Sequence, residues 1–344
     1  MEKRKVLIVR LSALGDVIFN LPLANVLKEN GYEVHWITSE KGFDIINNNP
    51  LVDKAILAPV EKWKKQNIFK NLVEYIKIIK FLRSQKYNIA IDTQLLLKSA
   101  IWTAFSGAKR RIVSKSAREF ANLAGNEDIG ELSYDKNTHA TRRYLKFAEH
   151  LKLNINNVTA KLPPATTSIT EKIDELIKDI DKSKPIIGIC PATTWSTKHW
   201  NKNNWKMLIE RLERDYTIVF TGTKKDEELI NYISNGKHCS LAGKTNLLEL
   251  AEFFRRCDLV ISLDSGSTHL AWASEKPKIV SIFCSTPKEF YAPVGENNKY
   301  RALSGSLPCQ PCHKKKCNIA ELENGCTFLP KVDEVFDVVK ELLS

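Results

Sequence analysis

Eight short apolar runs, in two sets of four with helical stretches between them, leave this chain few folds to choose from. The first set is KVLIVRL (5–11), EVHWIT (33–38), KAIL (54–57) and IAIDTQ (89–94). These runs are continuous rather than alternating, so both faces of each strand need cover, as in a parallel sheet between helix layers. In 67–84, NIFKNLVEYIKIIKFLRS, apolar residues recur at three and four, which predicts one of those helices. Around 161–171, KLPPATTSITE, prolines and small hydroxyl residues fit neither period and read as a linker. The rhythm then restarts with PIIGIC (185–190), YTIVFTG (216–222), LVISLD (259–264) and KIVSIF (278–283). At 344 residues the chain exceeds what one core usually organises. The fold class is therefore α/β, with two doubly wound domains over 1–165 and 166–330 and a last helix over 331–344. Ligands bind such sheets at the carboxyl ends of the strands, so a cleft between two such ends is the expected site.

The net charge of +12 favours an anionic partner. Nucleic acid, phospholipid headgroups and phosphorylated sugars all qualify. A nucleic-acid protein with a cysteine metal module would show steep salt dependence. No nucleic-acid motif accompanies the charge, which is spread along the chain, so no nucleic acid is expected. No apolar run reaches the roughly 18 to 20 residues that span a bilayer, and the start MEKRKVLIVRLS is too short for a secretory signal. A cytosolic, reducing location follows as an expectation. Four of the eight cysteines lie close together, Cys309, Cys312, Cys317 and Cys326. Their C-x2-C-x4-C-x8-C spacing can close around zinc or iron, or the four can stay free thiols. Such a metal would brace a loop and take no part in chemistry.

Three loops carry the polar chemistry. In DLVISLDSGSTHLAWA (258–273) a buried strand ends at Asp264, and a turn of small residues leads into a helix at about Thr268. Free N–H groups at that helix start suit a diphosphate, although Ser and Asp there can also serve as caps alone. PATTWSTKHWNKNNW (191–205) follows a strand and gathers Thr193, Thr194, Thr197 and Lys198 in one loop. Hydroxyls with a lysine hold phosphate oxygens and offset the charge growing on a phosphate leaving group. RLSALGDVIFNLP (10–22) sets Asp16 where a strand gives way to a helix. Asp16 is either a helix cap or a base, and its apolar neighbours would raise its pKa. Pro22 predicts that the helix after Asp16 kinks or restarts.

These loops occur in order with QLLLKSA (94–100), SAREF (116–120), THATRRYLKFAEHL (138–151), LAGKTNLLELAEFFRRC (241–257) and IFCSTPKEFYAPVG (282–295). Together they closely resemble the bacterial ADP-heptose lipopolysaccharide heptosyltransferases, glycosyltransferase family nine. LLKSA, AREF and the HA before RRY look most like the heptosyltransferase I group. The resemblance implies a GT-B fold, two Rossmann-like domains facing an interdomain cleft, with the last helix crossing back onto the first domain. It implies inverting heptose transfer from ADP-heptose to Kdo of the lipopolysaccharide inner core, with no cofactor or divalent metal needed for catalysis. Heptosyltransferase II, or another family-nine enzyme with a different acceptor, is the near alternative. The partners would be ADP-heptose, Kdo-lipid A and the cytoplasmic face of the inner membrane, where the chain would be peripheral. Asp16 matches the family's base and Lys198 the diphosphate contact. Thr193 and Thr194 would line the same pocket, Asp264 would meet sugar hydroxyls, and Ser265, Gly266 and His269 would surround the phosphates. Asp226 is a looser match to the ribose acid, with Glu227 or Glu228 as substitutes; Gly243 and Thr245 would border the adenine. Acceptor candidates are Lys62, Lys64, Lys98, Arg118, Arg142 and Arg143. Lys62, Lys64 and Lys65 stand where the family carries arginines, which keeps charge and loses the bidentate fork.

Overall fold

The computed structural model describes residues 4–132, 138–156, 158–295, 298–317 and 325–344. The chain divides into two units, Met1–Pro164 and Ala165–Ser344, one residue before the expected boundary. Each unit is built on one six-stranded sheet, and every strand pair in both sheets is parallel.

In the first unit the strands are β1 (Lys5–Val9), β2 (Glu33–Thr38), β3 (Lys54–Leu57), β4 (Ile89–Asp92), β5 (Arg110–Val113) and β6 (Glu127–Asp128). Their order across the sheet is β3-β2-β1-β4-β5-β6. The chain thus walks outward from β1 to one edge, then returns to the other side of β1 for β4. Val6, Leu7, Ile8 and Val9 are all fully buried, as a strand covered on both faces requires. The predicted helix is Ile68–Ser84, and its Tyr75 stacks at 4.2 Å on Trp63 and at 5.0 Å on Trp102. Pro22 has the expected effect: one helix ends at Phe19 and the next, Leu21–Glu29, begins with the proline in its first turn, where no N–H partner is lost.

The second unit contains β7 (Ile186–Cys190), β8 (Thr217–Phe220), β9 (Cys239–Ser240), β10 (Leu259–Leu263), β11 (Lys278–Phe283) and β12 (Tyr300–Ser304). The order β12-β11-β10-β7-β8-β9 repeats the same plan, with the reversal now between β7 and β10. In the final helix, Val332–Leu343, the apolar stripe Val335, Val339 and Leu342 is buried in the core of the second unit with Trp205, Leu208 and Ile282. Arg211 lies over Phe336 at 3.9 Å and pairs with Asp333 at 2.5 Å, which fixes the outer edge of that helix.

Candidate active site

A doubly wound sheet opens a crevice where its strand order reverses, because the loops on either side leave in opposite directions. In the first unit that point lies between β1 and β4, whose registered partners Val9 and Asp92 send two loops out side by side. The loop after β1 carries Arg10, Ser12 and Asp16. The loop after β4 carries Thr93 and Gln94 and leads to Lys98.

Asp16 sits in the first turn of the helix Leu14–Phe19, and its Oδ2 accepts the Ala13 N–H at 3.2 Å. The capping role is therefore real, yet it uses only part of the carboxylate. Arg10 Nη2 approaches Oδ2 at 2.6 Å, and the Tyr144 hydroxyl donates to Oδ1 at 3.0 Å. Arg10 also lies 5.2 Å from the Tyr144 ring centroid and donates to the Thr93 carbonyl at 2.6 Å. Burial alone would raise the Asp16 pKa, but the Arg10 charge, the Ala13 N–H and the Tyr144 hydroxyl outweigh it and hold the pKa below the ordinary carboxylate value. The expected upward shift is thus overturned by two side chains that composition did not mark out. Burial and Asp16 together push the Tyr144 phenol well up, so it stays a protonated donor. Asp16 keeps 34% of its side-chain surface, whereas Arg10 and Tyr144 are buried.

Lys98 stands over the same loop, its Nζ 3.0 Å from Ser12 Oγ. Its pKa is lowered, first by burial and then by the positive charges of Arg10, Lys64 and Lys41. Arg10 is paired with Asp16, and Lys64 and Lys41 with Glu61, so Lys98 is the cation of this group without a carboxylate at salt-bridge distance among the described residues. The other acceptor candidates divide. Lys62 is tied to Glu74 at 2.5 Å and Lys64 to Glu61 at 3.0 Å. Arg118 and Arg142 are exposed, and Arg143 has a buried Nε without a partner beside Tyr144.

In the second unit the reversal point brings the loops after β7 and β10 together. Asp264, at the end of β10, is buried, and its Oδ2 receives Lys198 Nζ at 2.7 Å and the Thr286 hydroxyl at 2.6 Å. Thr193 donates to the Asp264 carbonyl at 3.2 Å, and His269 Nε2 lies 3.8 Å from Oδ1. Thr194 is exposed on the same loop. The helix Gly266–Ala273 starts directly after Ser265, whose Oγ is buried with no partner. A helix start with free donors, an unsatisfied hydroxyl and a lysine form the parts of an anion cradle.

Lys198 is boxed by aromatics. Its Nζ lies 4.5 Å from the Trp195 ring centroid and 5.7 Å from that of Tyr291. His313 stacks on Tyr291 with rings 2° from parallel and meets Trp195 edge-on at 5.8 Å. Burial, then the Lys198 charge, lower the His313 pKa. Thr286, Trp195, Tyr291 and His313 had no role in the sequence reading; a lysine flanked by tryptophan in TTWSTKHW was the one available signal.

Asp226, Gly243 and Thr245 lie at the carboxyl ends of β8 and β9. Asp226 Oδ2 accepts from the N–H of Thr223 at 2.7 Å and from its hydroxyl at 2.8 Å, so it caps its own turn. Gly222 admits that carboxylate, since a Cβ there would stand 3.1 Å from Asp226 Oδ2. Gly243 has φ +69°, a left-handed conformation that glycine takes without strain, and its N–H donates to the Gly222 carbonyl at 3.0 Å. Glu227 and Glu228 follow in the first turn of the next helix.

The four clustered cysteines are free. Burial and the nearby sulphurs of Cys312, Cys317 and Cys309 push the Cys326 thiol up to about 11. Among the described residues no three His, Cys, Asp or Glu side chains are placed to hold a metal ion. The segment they bracket reaches the Lys198 loop: Thr197 donates to the Lys314 carbonyl at 2.6 Å and Ser196 to that of Lys315 at 3.4 Å.

Comparison with known proteins agrees with this plan. Residues 75–322 match the family model "Glycosyltransferase family 9 (heptosyltransferase)". The chain is 26% identical to lipopolysaccharide heptosyltransferase 1 of Campylobacter coli, with 98% of each chain covered. Its fold is similar to a family 9 glycosyl transferase of Veillonella parvula, with TM-score 0.80 and 19% identity, covering 100% of this chain and 98% of that one. It is also similar to ADP-heptose lps heptosyltransferase II of E. coli, with TM-score 0.75 and 19% identity, covering 99% and 98%. The two Rossmann-like sheets are those of a GT-B glycosyltransferase. The chain belongs to glycosyltransferase family 9, the heptosyltransferases.

Proposed function

We propose that this chain moves heptose from ADP-heptose to Kdo of a lipopolysaccharide inner-core acceptor, with inversion at the anomeric carbon. The first unit holds the acceptor and the second holds the nucleotide sugar. The observation that carries this reading is the state of Asp16: ionised, fixed by two buried donors, and still open to solvent on one side.

The acceptor hydroxyl is a poor nucleophile until its proton begins to leave. As the oxygen attacks the anomeric carbon, Asp16 takes that proton, and the bond to ADP breaks on the opposite face. A carboxylate of lowered pKa is a weak base, but it is fully ionised at neutral pH and never competes with its own protonated form. Orientation then supplies what basicity does not. On the leaving side, Lys198, the Ser265 hydroxyl and the amides starting the helix Gly266–Ala273 receive the growing diphosphate charge, a task for which no divalent metal is required in this scheme. Binding would draw Lys198 from Asp264 towards phosphate and free Asp264 to meet sugar hydroxyls. Thr193, Thr194, Gly266 and His269 complete that pocket. Asp226, with Gly243 and Thr245, borders the nucleoside. The cysteine segment braces the Lys198 loop as free thiols.

Lys98, with Arg10, Lys64 and Lys41, supplies the field for the acceptor's carboxylate and phosphates; Arg118, Arg142 and Arg143 extend it. Because Lys62 is occupied by Glu74 and arginine is missing from that loop, an acceptor of the heptosyltransferase II kind is the second reading. Purified protein given ADP-heptose and truncated Kdo-lipid A should release ADP and yield product one heptose heavier, in EDTA as in buffer. Asp16→Ala should lose at least about a hundredfold. No product with this acceptor, and product with a heptosylated one, would favour the second reading; ADP release without any sugar acceptor would sink both.

A further inference from the structure

The helix Ile68–Ser84 is apolar on two sides, and one of them is unexplained by packing. Tyr75, Ile78, Ile79 and Leu82 turn into the core of the first unit against Trp63 and Trp102. Leu72, Val73 and Ile76, at the three- and four-residue spacing that makes neighbours on a helix, are 56%, 53% and 43% exposed. Lys70, Lys77, Lys80 and Arg83, all exposed, surround them. Glu74 is the sole acid between 68 and 86. Its carboxylate is taken up first by Lys62 and the Trp63 indole N–H at 2.7 Å and feels Lys77, one of the outer cations, more weakly, which leaves the face with a net positive charge.

We propose that this outer face docks the protein on an anionic lipid bilayer. An apolar stripe ringed by lysine is the composition of a helix lying in a membrane interface: the stripe enters the acyl boundary while the cations meet lipid phosphates. Lysine stems add apolar cover and keep their charge in water, which suits a fluid surface. A protein partner is the weaker match, since lysine is depleted at protein interfaces and the stripe is only three side chains wide. The inference deepens the functional reading, which gives the enzyme a membrane-lipid acceptor, and names the face that brings it there. Among the described residues no helix is long and apolar enough to cross a membrane, so attachment through this face would be reversible.

The test uses the full chain and sedimentation with vesicles, and it needs no transfer activity. Wild type should bind phosphatidylethanolamine vesicles containing a quarter phosphatidylglycerol, and bind phosphatidylcholine vesicles poorly. Leu72→Ser, Val73→Ser and Ile76→Ser combined should lower the partition at least about tenfold. Replacing Lys70, Lys77, Lys80 and Arg83 by Gln should give a similar loss at low salt and remove most of the salt dependence. Both variants should melt like wild type and retain turnover on a soluble truncated acceptor. Phe120→Ser with Leu123→Ser, which removes exposed apolar groups elsewhere in the same unit, should leave partition intact. The proposal is overturned if wild type ignores anionic vesicles, if the folded triple-serine variant binds as well as wild type, or if only the Phe120 and Leu123 pair matters. It also falls if the serine changes alter self-association and leave vesicle binding unchanged. Loss of transfer with vesicle binding intact would count against the transferase reading alone.

Discussion

Asp16 and Asp264 both lie beside the point where a sheet reverses order, Asp16 in the helix that follows β1 and Asp264 at the end of β10, and the protein treats them in opposite ways. Asp16 retains a third of its side-chain surface and is bound from behind by Arg10 and Tyr144. Asp264 is 4% exposed and faces Lys198, Thr286 and His269. One carboxylate keeps an open side, and the other is covered by a lysine. A proton acceptor must stay ionised and reachable. A counter-ion must hold a lysine in place until a stronger anion arrives. On the proposed reading, the reversal point of one sheet carries a base and that of the other a lysine anchor, and the partners decide which.

The sharpest way to break the comparison is to exchange each carboxylate for its amide. Asp16→Asn should keep the turn and lose kcat by about a thousandfold, with KM for ADP-heptose within about threefold, because only proton acceptance is gone. Asp264→Asn should instead raise KM for the donor by about tenfold and lower kcat less, since Lys198 loses its resting position. Equal effects on kcat from both amides would erase the distinction. Lys198→Met comes next: turnover should fall about a hundredfold through the lost diphosphate contact. Stability should also drop by about 3 kcal/mol, because a buried carboxylate loses its lysine and keeps only the Thr286 hydroxyl and His269 beside it. Adding Asp264→Asn to Lys198→Met should recover most of that stability and none of the activity, as denaturant melts and ADP release would show.

Much of this was legible in the residues. Continuous runs such as KVLIV and LVISL carry their own evidence of double-sided burial, and both became central strands. Of the strands that periodicity missed, β6, β9 and β12 are edge strands and β5 is next to an edge; all are short and include charged or half-exposed residues such as Arg110, Arg111 and Arg301. Asp264 could be singled out because a polar residue directly after an apolar strand is conspicuous, and Asp16 and Lys198 because each lies in the stretch that follows such a strand. Their neighbours could not. Tyr144 reaches Asp16 across 128 positions, Thr286 lies 22 beyond Asp264, and His313 meets Trp195 only because the cysteine segment is folded against the Lys198 loop. Packing of the terminal helix was also beyond reach, since a stripe of valine and leucine states that something is covered without naming the surface.

Removing one of the two side-chain donors that hold Asp16 would sharpen the comparison at lower cost to activity. Tyr144→Phe deletes the hydroxyl and keeps the ring against Arg10. The wild-type acid limb of kcat/KM should lie below the ordinary carboxylate range, since activity is lost only as falling pH protonates Asp16. Without the Tyr144 donor the carboxylate is less favoured, its pKa rises, and the limb should move up by about one unit, with turnover at neutral pH reduced by about tenfold. A merely structural tyrosine would lower turnover at every pH and leave the limb where it was.

A third acid, the second of the series in the first unit, should have the least effect on catalysis. Asp92, at the end of β4, is fully buried, and burial pushes its pKa up to about 6 despite hydrogen bonds from the N–H groups of Gln94 and Leu95 and from the Ser99 hydroxyl. The folded chain therefore holds the Asp92 proton more tightly than the unfolded chain does. Stability is favoured while both states are protonated, and it falls as pH rises from about 4 to about 6, by up to roughly 3 kcal/mol. Asp16 contributes in the opposite sense: its folded pKa is lowered, so its share of stability is present above the ordinary carboxylate value and is lost as pH falls through the folded one. Asp92→Asn should flatten the first of these slopes in denaturant melts across pH 4 to 6, leave the more acidic loss from Asp16 in place, and change kcat by less than about threefold. If Asp92→Asn cost as much turnover as Asp16→Asn, the base would not be a single carboxylate, and the contrast between an exposed acid held ionised and buried acids that serve structure would have to be redrawn with Asp92 on the catalytic side.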